Sequence, residues 1–138
     1  MGEREAKKAV EEYRRRAIQT AQPVELISML YDALIHHCES AIRCMGEKNL
    51  EGQHSHFAKA QKILAELMSS LELQKGGEIA KNLFNIYAFC MRELSEANIK
   101  DDARKAVNCV GLLKELQEAW REVRRYQERL HDKHQRES

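Results

Sequence analysis

The sequence predicts an all-α protein, an antiparallel four-helix bundle with a short N-terminal accessory helix. The 138 residues include one proline and six glycines, so few residues interrupt helices. Four long stretches repeat apolar residues at steps of three and four, which is the spacing of one helix face. Short turns separate these stretches, and short connections favour antiparallel neighbours.

The accessory helix is predicted within residues 1–19, which are highly charged. Its apolar stripe is thin and centres on Val10, Tyr13 and Ile18. An isolated helix this weak does not persist in water, so we expect it to lie on the bundle through these three side chains.

The first bundle helix is predicted from Pro23 to Met45. Proline suits the first turn because its missing N–H has no helical partner there, and Glu25 meets the positive end of the helix dipole. We expect the helix to end at the turn that starts with Gly46, where glycine suits a left-handed residue.

The other three bundle helices are predicted over residues 50–73, over 78–98 and onward from the turn at 98–101. Gly76-Gly77 should stop the second of the four helices and reverse the chain. Asp101 or Asp102 can cap the last helix. From Arg124 that helix becomes almost entirely charged, so we expect its end to protrude or fray.

These elements predict one domain over residues 1–138, with a core over about 20–126 and mobile, charged ends at 1–12 and 127–138. A net charge of +1 gives no field that would attract nucleic acid or an anionic membrane. No stretch reads as a signal peptide or a membrane span, and the four cysteines form no C-x-x-C pair. A cytoplasmic protein with reduced thiols is the resulting expectation.

A catalytic or metal site is not expected, and neither is a cofactor. No serine stands in a glycine elbow, and no glycine-rich phosphate loop occurs. Two E-x-x-H motifs, Glu51 with His54 and Glu128 with His131, have the spacing of a di-iron bundle site. Both lie outside the apolar stripes, so we reject a metal-dependent bundle enzyme.

Two further polar clusters are interpreted without a site: His36 and His37 as solvated or boundary histidines, and the basic run at 14–16 as a solvated helix face. His36 and His37 point about 100° apart on a helix and cannot easily chelate one ion together. The basic run at 14–16 is flanked by acidic residues, which argues against a phosphate-binding face.

An excess of apolar residues remains on the first and third bundle helices. One bundle core does not need all of Leu26, Met29, Phe84, Phe89 and Met91. They indicate either scattered exposed residues or a homodimer face on one hand, or a groove for an amphipathic partner helix on the other. The pattern alone leaves both alternatives open.

An ordered set of residues from Tyr13 to Trp120 resembles the FliS family, the export chaperones of flagellin. The matching residues are Tyr13, Ile18, Thr20-Ala21, Pro23, Glu25-Leu26, Met29-Leu30-Tyr31-Asp32, Ala60, Ile63, Glu66-Leu67, Gly76-Gly77-Glu78-Ile79-Ala80, Asn82-Leu83, Tyr87, Met91, Leu94, Glu96-Ala97-Asn98, Leu112-Leu113 and Ala119-Trp120. No single motif is diagnostic, but the order and spacing cover nearly the whole predicted bundle.

The resemblance implies a cytoplasmic chaperone that binds the disordered C-terminal segment of flagellin, prevents its premature polymerisation and presents it to the export gate protein FlhA. It implies an apolar groove formed by Leu26, Met29, Leu30, Tyr31, Leu34, Leu83, Tyr87, Met91 and Leu94. Tyr13 and Ile18 match a segment that covers part of this groove and contacts the export gate. The alternative is a bundle that forms a homodimer or binds another amphipathic helix.

Overall fold

A computed structural model describes residues 2–6 and 24–137, and the regular structure in these ranges is helical throughout. The four long helices are α1 (Val24–Gly46), α2 (Leu50–Ser69), α3 (Leu73–Lys100) and α4 (Ala103–Glu137). Residues 3–6 are also helical. The described ranges contain no strand, so the prediction of an all-α fold is confirmed.

The four helices form a ring in which each packs on the helices before and after it. α1 contacts α2 and α4, and α3 also contacts α2 and α4. α1 and α3 therefore face each other diagonally across the core, as do α2 and α4. Short turns between successive helices make neighbours antiparallel, which is the predicted bundle.

The core is one continuous cluster that all four helices share. Its largest fully buried side chains include Trp120, Tyr31, Tyr87 and Phe57. Ala6 is buried in the same cluster, so the beginning of the chain packs on the bundle. The predicted accessory-helix contacts of Val10, Tyr13 and Ile18 lie outside the described residues.

The turn between α1 and α2 differs from the prediction in its left-handed residue. Gly46 is the last residue of α1, and Lys48 adopts the left-handed conformation instead, with φ of 58°. The backbone N–H of Asn49 reaches back to Cys44 O at 2.8 Å. Asn49 then caps α2, because its Oδ1 accepts the backbone N–H of Gly52 at 3.0 Å.

The α2–α3 connection is shorter than predicted. α2 ends at Ser69 and helical structure resumes at Leu73, so Gly76-Gly77 lies inside α3 rather than before it. Gly77 nevertheless has a φ of 56°, which breaks the regular helix and produces a kink. The predicted interruption is therefore present as a bend, and one helical turn precedes it.

The turn into α4 uses both aspartates that were predicted as candidates. Asp101 ends α3 in the left-handed conformation with φ of 52°. Asp102 Oδ1 accepts the backbone N–H of Arg104 at 3.1 Å, so Asp102 supplies the cap. At the other end, α4 stays helical from Arg124 to Glu137, and an Arg124–Glu128 ion pair at 3.3 Å lies along it.

Candidate functional site

The nine residues of the implied groove divide into a buried group and a more accessible group. Five are at most 1% exposed and belong to the core: Tyr31, Leu34, Leu83, Tyr87 and Leu94. The other four reach the surface to different extents. Leu26 and Met29 are exposed, and Leu30 and Met91 are half-buried.

The buried group meets at the centre of the bundle instead of lining an open groove. The hydroxyls of Tyr31 and Tyr87 are 2.7 Å apart, and their rings pack edge to face with centroids 6.3 Å apart. This hydrogen bond joins the diagonal helices α1 and α3 through the core. Burial raises the pKa of Tyr31 well above 10, the neighbouring Tyr87 raises it further, and a hydrogen bond with Trp120 opposes the change.

The accessible apolar residues of α1 form a strip at the start of that helix, which we call the α1 strip: Leu26, Met29 and Leu30. Leu26 is 39% exposed and Met29 is 67% exposed. Neither residue belongs to the buried face of α1, which is formed by other residues such as Ile27 and Leu34. Leu26 and Met29 are therefore apolar surface that the bundle core does not bury, whereas Leu30 packs partly against the core.

Contacts farther along α1 show which neighbour the α1 strip borders. Leu26, Leu30 and His37 fall within about 40° of one another around the helix. His37 contacts His56 of α2, with their Nδ1 atoms 3.0 Å apart. The opposite flank of α1 faces α4, where Gln117 Nε2 donates to Asp32 Oδ1 at 2.6 Å. Leu26 and Leu30 therefore lie along the groove between α1 and α2, and Met29 lies about 60° from Leu26, on the side toward Asp32.

On α3, the residues that suggested an apolar excess are largely absorbed by the bundle. Phe84 is half-buried, and Phe89 and Met91 pack against the core as partly buried side chains. Because α1 and α3 are diagonal, Met91 and the α1 strip open on different faces of the molecule. The α1 strip and Met91, which the family resemblance assigned to one groove, therefore belong to two separate surfaces.

Three cysteines lie in the core of the bundle. Cys38, Cys90 and Cys109 are buried and free, on three different helices. Burial raises the pKa of Cys38 to about 12. A hydrogen bond with Cys109 is the largest cause that raises the pKa of Cys90, and burial is the next. Cys38 and Cys90 therefore stay protonated at neutral pH, and all three side chains pack as small apolar groups.

The two E-x-x-H motifs do not converge. Glu51 and His54 are exposed at the start of α2, where His54 Nδ1 lies 2.8 Å from Asn98 Oδ1. Glu128 and His131 are exposed on the charged end of α4, at the opposite end of the antiparallel bundle. Within residues 2–6 and 24–137, no group of three or more His, Cys, Asp or Glu side chains is placed to hold a metal ion.

The sequence indicates that His36 and His37 are solvated or boundary residues, but it does not predict the contact that they make. His37 is half-buried and bonded across the helix interface to His56, and the ring of His36 packs beside both. The pattern of a single helix could not predict this cluster. It depends on the register of α1 against α2, which brings residues 19 positions apart together.

Comparison with known sequences identifies the family. A family model described as "Flagellar protein FliS" matches residues 6–127. The chain belongs to the FliS family. FliS is a family of flagellar secretion chaperones and not of enzymes, which confirms both the resemblance and the expectation that the chain has no catalytic role.

Individual FliS proteins cover most of the bundle. The chain is 32% identical over 108 residues to the "Flagellar secretion chaperone FliS" of Salmonella typhimurium, across 78% of this chain and 80% of that protein. It is 32% identical over 101 residues to the Campylobacter jejuni protein of the same name, across 73% and 79%. With the Bacillus subtilis protein, identity is 27% over 111 residues, across 80% and 82%.

None of the helices in the described part of this FliS-family chain is both long and apolar enough to cross a membrane. Its longest helix, α4, ends in a run of charged and polar side chains that are mostly exposed. The apolar surface that remains is the α1 strip and a few isolated side chains, among them Ile99 and Val107.

Proposed function

We propose that the protein is a cytoplasmic chaperone for flagellin. It binds the C-terminal segment of flagellin as an amphipathic helix, prevents premature polymerisation and delivers the subunit to the export gate protein FlhA. Membership of the FliS family supports this proposal for the whole chain. The exposure of Leu26 and Met29 is the observation that supports α1 as the binding surface.

The α1 strip has the chemistry that an amphipathic helix requires. Leu26 is three residues before Met29 and four residues before Leu30, so both are its neighbours on the surface of α1 and the three side chains form one apolar patch. The groove beside them, between α1 and α2, can accept a partner helix that contributes its own apolar stripe. Methionine suits such a surface, because its flexible side chain adapts to different partner side chains.

The direct contacts with flagellin are proposed for the accessible members of the predicted groove: Leu26, Met29, Leu30 and Met91. Tyr31, Leu34, Leu83, Tyr87 and Leu94 support these surfaces from inside the core. A direct contact between any of these five and flagellin stays a prediction, and it requires a conformation that exposes them. Since Met91 opens on a different face, we propose that one flagellin segment contacts α1 and another contacts α3.

Binding of this kind would explain how polymerisation is prevented. A disordered segment that folds on the chaperone removes its own apolar stripe from water. The same stripe is then unavailable for packing against other flagellin subunits. Release at FlhA would return the segment to its disordered state.

The N-terminal segment is proposed to regulate the groove and to engage FlhA through Tyr13 and Ile18, which lie outside the described residues. The burial of Ala6 in the core supports the idea that the beginning of the chain stays on the bundle. The test is a Tyr13→Ala, Ile18→Ala double variant, which leaves Ala6 in place. We expect a faster association with flagellin and weaker retention of the complex by FlhA; unchanged association and retention would exclude the role.

The flagellin site is tested by calorimetric titration with a peptide from the C-terminal region of the cognate flagellin. Met29→Glu should weaken binding at least tenfold, because a charge replaces an apolar contact. Ile99→Glu is the matched control, since Ile99 is 78% exposed and lies at the other end of the bundle. Wild type should bind with a negative heat-capacity change.

Two results would contradict the proposal. A well-folded wild-type protein that does not bind the peptide would exclude flagellin as the partner. Equal binding by wild type and Met29→Glu would exclude the α1 strip while leaving the partner intact. Circular dichroism of each variant ensures that a loss of binding does not reflect unfolding.

A further inference from the structure

The groove between α1 and α2 changes from apolar to basic along its length. His37 on α1 faces His56 on α2, with their Nδ1 atoms 3.0 Å apart. Leu30 precedes His37 by seven residues, which is about two turns or 10 Å along the same face of α1. Ile63 follows His56 by the same number of residues on α2. Because the two helices are antiparallel, Leu30 lies opposite Ile63, and together with Leu26 they form what we call the apolar end of the groove.

Lys59 adds a permanent positive charge beside the histidines. It is exposed and follows His56 by three residues, so the two side chains are neighbours on the surface of α2. Lys105 and Lys114 form ion pairs with glutamates of neighbouring helices at 2.9 Å and 3.3 Å, whereas no carboxylate in the described part of the chain lies within ion-pair distance of Lys59. The Lys59 ammonium is therefore available to an acidic group of another molecule.

The histidine pair provides a hydrogen-bond donor next to this charge. The His37–His56 bond needs a hydrogen on one Nδ1 and a lone pair on the other. The ring that supplies the lone pair must carry its own hydrogen on Nε2, whichever of the two rings it is. That Nε2–H is not used by the pair, and both rings are half-buried rather than sealed in the core. One ring therefore keeps a donor for a further acceptor.

The surroundings of His37 favour a negative charge. Burial lowers the pKa of His37 below its ordinary value of 6.5, and His36, His56 and Lys59 lower it further. All three neighbours are basic, so a carboxylate placed among them would be attracted by Lys59 and would meet no like charge from the other two. The basic end of the groove, as we call it, consists of His37, His56 and Lys59.

We propose that the basic end binds an acidic side chain of the same partner helix whose apolar residues contact the apolar end. The inference rests on the proposed function and specifies the chemistry of the flagellin segment, an amphipathic helix with Asp or Glu about seven residues from its apolar contacts. An exposed ion pair adds little affinity by itself. Its main effect is to fix the direction and register of the helix in the groove, while the apolar end supplies most of the binding energy.

The experiment is a calorimetric titration of the full chain with two peptides from the C-terminal region of the cognate flagellin. One has the natural sequence, and in the other each Asp and Glu is replaced by Asn and Gln. Lys59→Gln should weaken binding of the natural peptide about threefold and Lys59→Glu about tenfold, because the acidic side chain then faces no charge or a like charge. Neither substitution should weaken binding of the neutral peptide. Lys133→Glu, at an exposed position near the end of α4, is the matched control and should leave the affinity unchanged.

The outcomes separate this inference from the proposed function. Equal binding of the natural peptide by wild type and Lys59→Glu would overturn the inference and leave flagellin as the partner. An equal loss of affinity for both peptides would also overturn it, since the charge would then act on something other than the acidic side chains. No binding of either peptide by folded wild type would overturn the proposed function and this inference with it. Circular dichroism of each variant verifies that it is folded.

Discussion

The centre of the bundle and the outer edge of α1 are both rich in apolar side chains, but they differ in what surrounds them. At the centre, Tyr31, Tyr87 and Trp120 are fully enclosed, and the two tyrosine hydroxyls bond to each other. At the edge, Leu26 and Met29 remain in contact with solvent. Apolar character alone therefore does not mark a binding surface, since the same residue types build the fold in one place and remain free for a partner in the other.

The largest effect should come from the centre. Trp120→Ala removes the largest fully buried side chain and leaves a cavity that the neighbouring helices cannot fill. We expect the free energy of unfolding to fall by about 3–5 kcal/mol, measured by urea denaturation. A loss below about 1 kcal/mol would show that α4 does not depend on this anchor.

The diagonal hydrogen bond should contribute less. Tyr87→Phe leaves the hydroxyl of Tyr31 without that partner in a buried site, so we expect a loss of about 1–3 kcal/mol. The Tyr31→Phe, Tyr87→Phe double variant should lose less than the sum of the two single variants, because both hydroxyls are then absent. Strictly additive losses in urea denaturation would indicate that the two hydroxyls do not interact.

A local feature of the surface should contribute about 1 kcal/mol. Asn49→Ala removes the side-chain oxygen that accepts the backbone N–H of Gly52 at the start of α2. The expected result is a lower melting temperature with no change in flagellin affinity. Reduced flagellin affinity in a folded variant would mean that the turn before α2 belongs to the binding surface.

The smallest effect on stability, and the sharpest test of the comparison, should come from the edge. Met29→Gln changes an exposed position to a residue of similar helix propensity, so the free energy of unfolding should stay within about 0.5 kcal/mol. Flagellin affinity should nevertheless fall in calorimetric titration. If Met29→Gln lowered the free energy of unfolding but left flagellin affinity unchanged, Met29 would contribute to the fold and not to flagellin binding.

The predicted elements were largely confirmed because helix periodicity and turn residues act locally. The all-α class and the start of α2 at Leu50 followed from such patterns. The start of α3 was predicted too late, because Gly77 bends the helix instead of ending it. Gly46 was wrongly predicted as the left-handed residue, which is Lys48, because the hydrogen bond from Asn49 to Cys44 closes the turn farther along the chain.

The candidate site was less predictable because it depends on how the helices face one another. The stripe of α3 contains more apolar residues than one face can bury, and the sequence does not state which of them point inward. Tyr31 and Tyr87 match the family pattern equally well whether they line a groove or bond in the core. The contact between His37 and His56 required the register of α1 against α2, which no local pattern specifies.

The two left-handed residues, Lys48 and Asp101, both lie at the end of the bundle opposite the α1 strip. Left-handed backbone costs a residue with a side chain about 1–2 kcal/mol relative to a right-handed one, whereas glycine adopts it freely. Glycine at position 48 would therefore release this cost, whereas at position 101 it would also remove the hydrogen bond that Asp101 Oδ1 accepts from Gln53 Nε2 at 3.0 Å. A variant with greater heat resistance could be engineered at Lys48, at a distance from the apolar surfaces proposed to bind flagellin.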